Sequence, residues 1–226
     1  MMFSDRADAG RMLATKLTNY KGRTDTVIFA LPRGGIPVAY EIGRELELPI
    51  DVFVVRKLGV PGQGELAMGA IATGDIRIIN YQVVDQLGIT QEIIDAVTDQ
   101  QRKELRRREQ LYRGKRPPRE IRGRSVILVD DGIATGSTMR AAIAALRQLS
   151  PARIVVAVPV ATPDTCQQIG AEVDEMICAA PQQLYAISQA YERFKQTTDE
   201  EVVCGLAASE IFEREGYAKT LWTKRG

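Results

Sequence analysis

The chain predicts an α/β fold, an open, mostly parallel twisted sheet flanked by helices, and three observations carry that prediction. Short apolar runs alternate with segments of helical periodicity along much of the chain, the pattern of successive βαβ units. Val126, Ile127, Leu128 and Val129 are four consecutive apolar residues. Such a run is too short for a helix and too apolar for a strand with one wet face, so it reads as a strand buried on both sides of a parallel sheet. The acids Asp130 and Asp131 follow at once, then the small-residue turn Ala134-Thr135-Gly136-Ser137-Thr138, then an apolar-periodic helix. That order puts chemistry at the carboxyl end of a central strand, where open α/β sheets bind ligands.

Taken in order, Ser4 caps a first helix that carries Met12, Leu13, Leu17 and Tyr20 at helical spacing. A strand over residues 26–31 leads through a Gly-Gly turn into a helix over 36–46, and a strand over 50–55 follows. The stretch 58–66 is rich in Gly and Pro and reads as a loop. Residues 68–72 and 76–80 flank Thr73-Gly74-Asp75 and read as a hairpin. Thr90 caps a long helix to about Arg113, ended by Gly114 and Pro117-Pro118. The buried strand at 126–129, a helix over 138–149 and strands over 153–158 and 173–178 complete the pattern. No repeat, low-complexity tract or linker stands out. The expectation is one domain over residues 1–226, with 80–124 a basic helical insertion and 206–226 a C-terminal extension of unknown role.

Composition narrows the chemistry. The net charge is +1 with 26% charged residues, so nothing draws the whole protein toward nucleic acid or membrane. The opening MMFSDRADAG lacks the apolar stretch of a signal peptide. The longest apolar run, residues 154–161, falls far short of the roughly 20 residues of a membrane span. Cys166, Cys178 and Cys204 are widely spaced, which argues against a disulfide framework or a zinc site and for a reducing cytoplasm. There is no histidine. Ser–His hydrolase chemistry, histidine general bases and most transition-metal sites are thereby excluded.

Three places remain that can carry chemistry. Asp130 and Asp131 adjoin a turn whose backbone N–H groups and hydroxyls open a helix, a natural phosphate seat. Acids repel phosphate, so the ligand must also offer hydroxyls or a metal; a sugar phosphate satisfies both. An ordinary N-capped helix, with Thr135 or Ser137 as the cap, is the structural alternative. It leaves two adjacent acids at a buried strand's exit unexplained.

The second place is Ala30-Leu31-Pro32-Arg33-Gly34-Gly35-Ile36-Pro37, where two glycines permit close approach of an anion to the backbone and Arg33 adds a phosphate-binding fork. In the third, Arg56 and Lys57 leave a strand into the Gly/Pro-rich loop. Gly62-x-Gly64-x-x-Ala67 formally matches a dinucleotide fingerprint, but that motif must open a helix, and here a hairpin pattern follows.

The 126–138 segment, VILVDDGIATGST, resembles the 5-phosphoribosyl-1-pyrophosphate (PRPP) fingerprint of type I phosphoribosyltransferases, and the likeness extends over about residues 1–205 to a bacterial subgroup of that family. The resemblance implies that Asp130 and Asp131 hold the ribose hydroxyls and that Ala134, Thr135, Gly136, Ser137 and Thr138 wrap the 5′-phosphate. Gly132 departs from it, since many relatives carry an aliphatic residue there. The loop at Arg33, Gly34 and Gly35 resembles the family's pyrophosphate loop, which makes Pro32–Arg33 a candidate cis peptide. Arg56 and Lys57 would contact pyrophosphate and lead into a flexible catalytic lid. The implied activity is Mg²⁺-dependent transfer of phosphoribose from PRPP to a nucleobase-like or other small acceptor, with Arg33, Lys57, Asp130 and Asp131 as the catalytic set. Mg²⁺ would be held mainly by PRPP, near Asp130 and Asp131. The acceptor hood would come from residues 80–124 or from the region of Tyr185, Tyr191 and Phe194; none of these aromatics is assigned a role, because aromatics at helical spacing usually belong to a core.

Residues 101–124 carry eleven Lys or Arg against three acids. The bland reading is a solvated helix face with a connecting loop; the functional one is attraction of an anion. RNA binding would need more than an electrostatic footprint, and residues 82–112 lack a convincing helix-turn-helix, so nucleic acid is not expected as a partner. Two competing readings follow. One is a PRPP-sensing regulator that binds RNA or a protein through the basic insertion; the other, weaker, is a sugar-phosphate hydrolase. A homo-oligomer is compatible with the sequence, but no feature calls for one.

Overall fold

The computed structural model describes residues 1–210. The first helix, α1 (Arg6–Lys16), is capped by Asp5, whose carboxylate accepts the Asp8 N–H at 3.0 Å. Ser4 therefore lies one residue outside the cap expected of it; its own N–H donates to the Asp8 carboxylate at 3.2 Å. Strand β1 (Thr26–Ala30) is buried throughout, and α2 (Gly35–Leu46) follows.

The strand expected over residues 50–55 divides. β2 (Ile50–Val52) pairs in parallel with β1, whereas β3 (Val55–Val60) leaves for a second, antiparallel sheet with β4 (Gln63–Ala72) and β5 (Ile76–Ile79). The Gly/Pro-rich stretch read as a loop is thus largely a hairpin. Pro61-Gly62 is its turn, with Gly62 at φ 77°, the arrangement a type II turn prefers. The β4–β5 hairpin turns at Gly74 and Asp75, both with positive φ, as expected. The Gly62-x-Gly64 motif opens a strand and no helix, which removes the dinucleotide reading.

Two helices come next, α3 (Tyr81–Leu87) and α4 (Gln91–Arg113), the latter with Thr90 and Gly114 at its ends. Strand β6 (Ser125–Val129), helix α5 (Ser137–Gln148), strand β7 (Arg153–Val158), helix α6 (Pro163–Gly170) and strand β8 (Glu175–Cys178) follow. A last helix, α7, occupies residues 199–210. The part of the proposed C-terminal extension beyond 210 lies outside the described residues.

The main sheet has the order β2-β1-β6-β7-β8, every pair parallel. Its core divides by strand parity. Ile28, Ala30, Ile127, Val129, Val155 and Ala157 pack with Leu13, Leu17, Ile36 and Ile42 of α1 and α2 and their surroundings. Val27, Phe29, Val126, Leu128, Ile154 and Val156 pack with Met139, Ile143 and Leu146 of α5. Both faces are covered, so the strands are apolar without alternation. The chain winds outward from β1 to β2 and, in the other direction, from β6 to β7. That reversal between adjacent β1 and β6 creates the crevice at their carboxyl ends where α/β sheets take ligands.

Candidate active site

Two loops meet in this crevice, one from each side of the switch point. The β1–α2 loop holds Pro32 to Gly35, with a cis Pro32–Arg33 peptide, as the sequence suggested. The β6–α5 loop holds Asp130 to Gly136. They touch closely: a Cβ on Gly34 would lie 2.1 Å from Asp131 Oδ2, and one on Gly35 would lie 2.7 Å from the Val129 carbonyl oxygen. Only glycine leaves room for the carboxylate and the strand end to sit against the Arg33–Gly35 backbone.

The acids are unequal. Asp130 is partly exposed and accepts the Asp131 N–H at 2.8 Å. Burial of its charge, and next the nearby Asp131 carboxylate, raise its pKa well above the usual Asp value. Asp131 is buried and receives Arg6 Nε on Oδ2 at 2.7 Å. Arg6 also donates to the Lys195 carbonyl at 2.6 Å and lies 3.9 Å from the Phe194 ring centroid, a cation–π contact. Tyr191 donates its hydroxyl to the Asp131 carbonyl at 2.6 Å; burial, then the Asp131 charge, raise the pKa of that hydroxyl. A carboxylate offers about four lone-pair sites, so Arg6 orients Asp131 and leaves acceptor capacity unused.

The turn Ala134 to Thr138 lines a cavity of about 170 Å³ together with Asp130, Gly132, Ile133, Met139 and Ile187. Neither Thr135 nor Ser137 caps α5. Its N-cap is Gly136 at φ 78°, with no side-chain hydrogen bond, while the Thr135 and Ser137 hydroxyls lie 3.2 Å apart. The first-turn N–H groups thus keep the donor character that suits an anion. Gly132 also has a local reason: a Cβ there would lie 2.7 Å from Ile187 Cγ2 and 3.0 Å from Val160 Cγ1. Ile187 fills the space an aliphatic residue would otherwise take.

On the other side, Arg33 Nη1 lies 3.8 Å from Asp199 Oδ1 on α7, and that oxygen accepts the Tyr112 hydroxyl at 2.6 Å. Burial and next the Asp199 bond push the Tyr112 pKa up to about 12. Arg56 donates Nε to Gln101 Oε1 at 3.0 Å and its pKa is lowered, by burial first and then by the Arg108 charge. Lys57 is exposed on β3. The two loops therefore juxtapose Arg33, Gly34, Gly35, Asp130, Asp131 and the 134–138 turn, with Arg56 and Lys57 on the neighbouring antiparallel sheet. Where a flexible lid was expected after Lys57, the backbone is the β3–β4 hairpin.

Sequence reasoning missed Arg6, Tyr191, Tyr112 and Asp199. Tyr191 entered only as an unassigned aromatic near the acceptor hood, and Arg6 and Asp199 only through the family likeness over about residues 1–205. Phe3 pairs with Tyr191 and packs with Ala190 and Val160 in a small separate core, which brings the N-terminus over the strand ends beside Asp131. Much of the basic run is paired inside the molecule: Arg102 with Asp75, Arg107 and Arg108 with Glu104, Arg113 with Asp51, Arg116 with Glu210. Two larger depressions, of about 500 and 620 Å³, lie around Arg113, Arg116 and Pro118 and contain no crevice residue. Among the described residues no helix is long and apolar enough to cross a membrane, and no group of three or more His, Cys, Asp or Glu could hold a metal ion.

A doubly wound parallel sheet with an acid pair and an uncapped helix N-terminus at its switch point defines an open α/β protein of the class that takes its ligands in that crevice. The particular family is shown by comparison: a phosphoribosyl transferase domain matches residues 4–184, and the chain belongs to that family. It is similar to TT1426 from Thermus thermophilus, whose crystal structure superposes with a TM-score of 0.80 at 39% identity, covering 91% of this chain and 98% of that one. Two Mycobacterium tuberculosis proteins, each named "Putative phosphoribosyl transferase" (MT0597 of strain CDC 1551 and Rv0571c of strain H37Rv), are 43% identical over 206 residues. The match covers 91% of this chain but 46% of theirs, so the chain spans about half the length of these curated relatives.

Proposed function

We propose that this protein transfers the phosphoribosyl group of PRPP to a nucleobase-like or other small acceptor and releases pyrophosphate. The single observation that carries this reading is the acid pair Asp130–Asp131 set beside the uncapped N-terminus of α5. A diol needs acceptors and a phosphate needs donors, and the crevice offers the two a few residues apart. Family membership over residues 4–184 points the same way.

In this reading Asp130 and Asp131 accept hydrogen bonds from the ribose hydroxyls, and Ala134 to Thr138 supply amides and hydroxyls to the 5′-phosphate. The bond from C1′ to pyrophosphate breaks with its electron pair leaving on pyrophosphate, and a nucleophilic atom of the acceptor bonds to C1′ from the opposite face. Arg33, Gly34, Gly35, Arg56 and Lys57 stabilise charge that grows on the leaving group, the largest kind of catalytic contribution a preorganised site makes. Arg6 and Tyr191 position Asp131, one through its side chain and one through its carbonyl. The all-oxygen donor pair suits a hard cation, so Asp130 and Asp131 would hold Mg²⁺ only jointly with the substrate's own oxygens. When bound, Mg²⁺ would neutralise pyrophosphate charge. A reducing cytoplasmic setting accords with the three free cysteines.

The test is release of pyrophosphate from PRPP and Mg²⁺ when a panel of nucleobases and other small acceptors is offered. Release that requires one acceptor supports transfer. Release with no acceptor present would replace transferase with hydrolase, and PRPP binding without any turnover would favour a sensor.

A further inference from the structure

We propose that Arg108, on α4, is a further basic ligand at the leaving-group end of the crevice, donating to a pyrophosphate oxygen alongside Arg33 and Arg56. This rests on the reading of the crevice as a PRPP site and adds a residue from an element outside both binding loops. Helix α4 presents one stripe, Gln101, Glu104, Arg108 and Tyr112, at the three- and four-residue spacing of a single face. Both ends of that stripe are tied to residues already placed at the pyrophosphate. Gln101 accepts Arg56 Nε at 3.0 Å, and Tyr112 donates at 2.6 Å to Asp199, which lies 3.8 Å from Arg33. Arg108 sits between them, about 6 Å along the helix from Tyr112 and about 10 Å from Gln101.

Its side chain is positioned for binding. Glu104 Oε1 accepts the Arg108 Nε–H at 2.8 Å, and the two side chains are 29% and 30% exposed, accessible to a ligand. The terminal N–H groups of the guanidinium are the donors an anion would use. Charge supports the same assignment. Glu104 must also serve Arg107, bonded at 2.7 and 3.0 Å, so one carboxylate faces two guanidinium groups. Next to them Arg56 is partly buried, and its pKa is lowered first by that burial and then by the Arg108 charge, with Glu104 opposing and Arg107 adding. Cations left close together are costly unless an anion joins them, and pyrophosphate is such an anion. Asp199 already holds the Arg33 end in place with a carboxylate.

The test is isothermal titration of three probes, PRPP and inorganic pyrophosphate, each with Mg²⁺, and ribose 5-phosphate, into wild type, Arg108→Gln, Arg108→Lys and the exposed control Arg122→Gln. One charge-assisted hydrogen bond corresponds to roughly a 10- to 100-fold loss of affinity. Arg108→Gln should show that loss for PRPP and pyrophosphate, Arg108→Lys should recover part of it, and ribose 5-phosphate, which has no leaving group, should bind all four proteins equally. Equal pyrophosphate and PRPP affinity in wild type and Arg108→Gln overturns the assignment. So does an equal loss of ribose 5-phosphate binding, which would mean general disruption, reported independently by a lowered melting temperature. Wild type that binds ribose 5-phosphate but not pyrophosphate overturns this assignment alone. Wild type that binds neither PRPP nor ribose 5-phosphate removes the functional reading beneath it.

Discussion

Asp130 couples stability to function most directly. Its folded pKa is raised above the ordinary value of 3.8, so the native state holds a proton that the unfolded chain gives up as pH climbs. Its contribution to stability is fully present below about pH 4 and is lost as pH rises through the raised value. Asp130→Asn should therefore stabilise the protein at pH 7, read as a raised melting temperature, and leave it little changed at pH 4. The same variant should bind PRPP poorly at either pH. For wild type, PRPP affinity should rise with pH above the ordinary Asp range as the carboxylate ionises, with proton release visible as a dependence of binding heat on buffer. Arg6 tests the opposite sign. Arg6→Ala strips the cation from a side chain only 11% exposed and should destabilise the protein by about 1–3 kcal/mol, read by urea unfolding. Neither Arg6 nor Tyr191 was legible as an Asp131 partner, because 125 residues separate Arg6 from Asp131 and one arginine in a charged N-terminus carries no local pattern.

At the scale of elements, the loops behave as their composition demands wherever backbone chemistry decides. Gly-Gly after β1 is required by contact: Gly35→Ala would place a methyl 2.7 Å from the Val129 carbonyl, a backbone atom that cannot yield. The expected result is a loss of at least about 2 kcal/mol with PRPP binding impaired, measured by thermal unfolding and calorimetry. Gly62→Ala is the contrasting case, at φ 77° with nothing within 4 Å of the added methyl. It should cost about 1 kcal/mol through conformation alone and leave PRPP affinity unchanged. Pro61-Gly62 could have been recognised as a turn. The flanking residues hid the strands, since Gly59, Gly64 and Gly69 are poor strand formers and Gly69 is there because Ile78 O would sit 2.2 Å from a Cβ. For the same reason the single run 50–55 read as one strand: nothing local shows that Phe53 and Val54 carry the chain from one sheet to the other.

Across the whole molecule, the parallel sheet was legible because burial on both faces writes itself as unbroken apolar runs of at least four residues in β1, β6 and β7. The crevice was legible because its two loops each follow such a strand directly. What joins the elements was not. Arg113 at the end of α4 bonds the buried Asp51 of β2 through Nε, at 2.8 and 3.0 Å, and the Val52 carbonyl at 2.7 Å, an edge-strand clamp hidden in a run of arginines. Arg113→Met would leave Asp51 as a buried charge without its cation and should destabilise by about 3–5 kcal/mol, with PRPP affinity unchanged at temperatures where the fold persists. The central claim is that the crevice between β1 and β6 binds PRPP through its acid pair. Calorimetric titration of PRPP with Mg²⁺ into wild type and Asp131→Asn tests it most directly. Saturable binding to wild type, weakened at least tenfold in Asp131→Asn at a temperature where both proteins are folded, is the predicted result; no heat with wild type, or equal affinity for the two proteins, would contradict it.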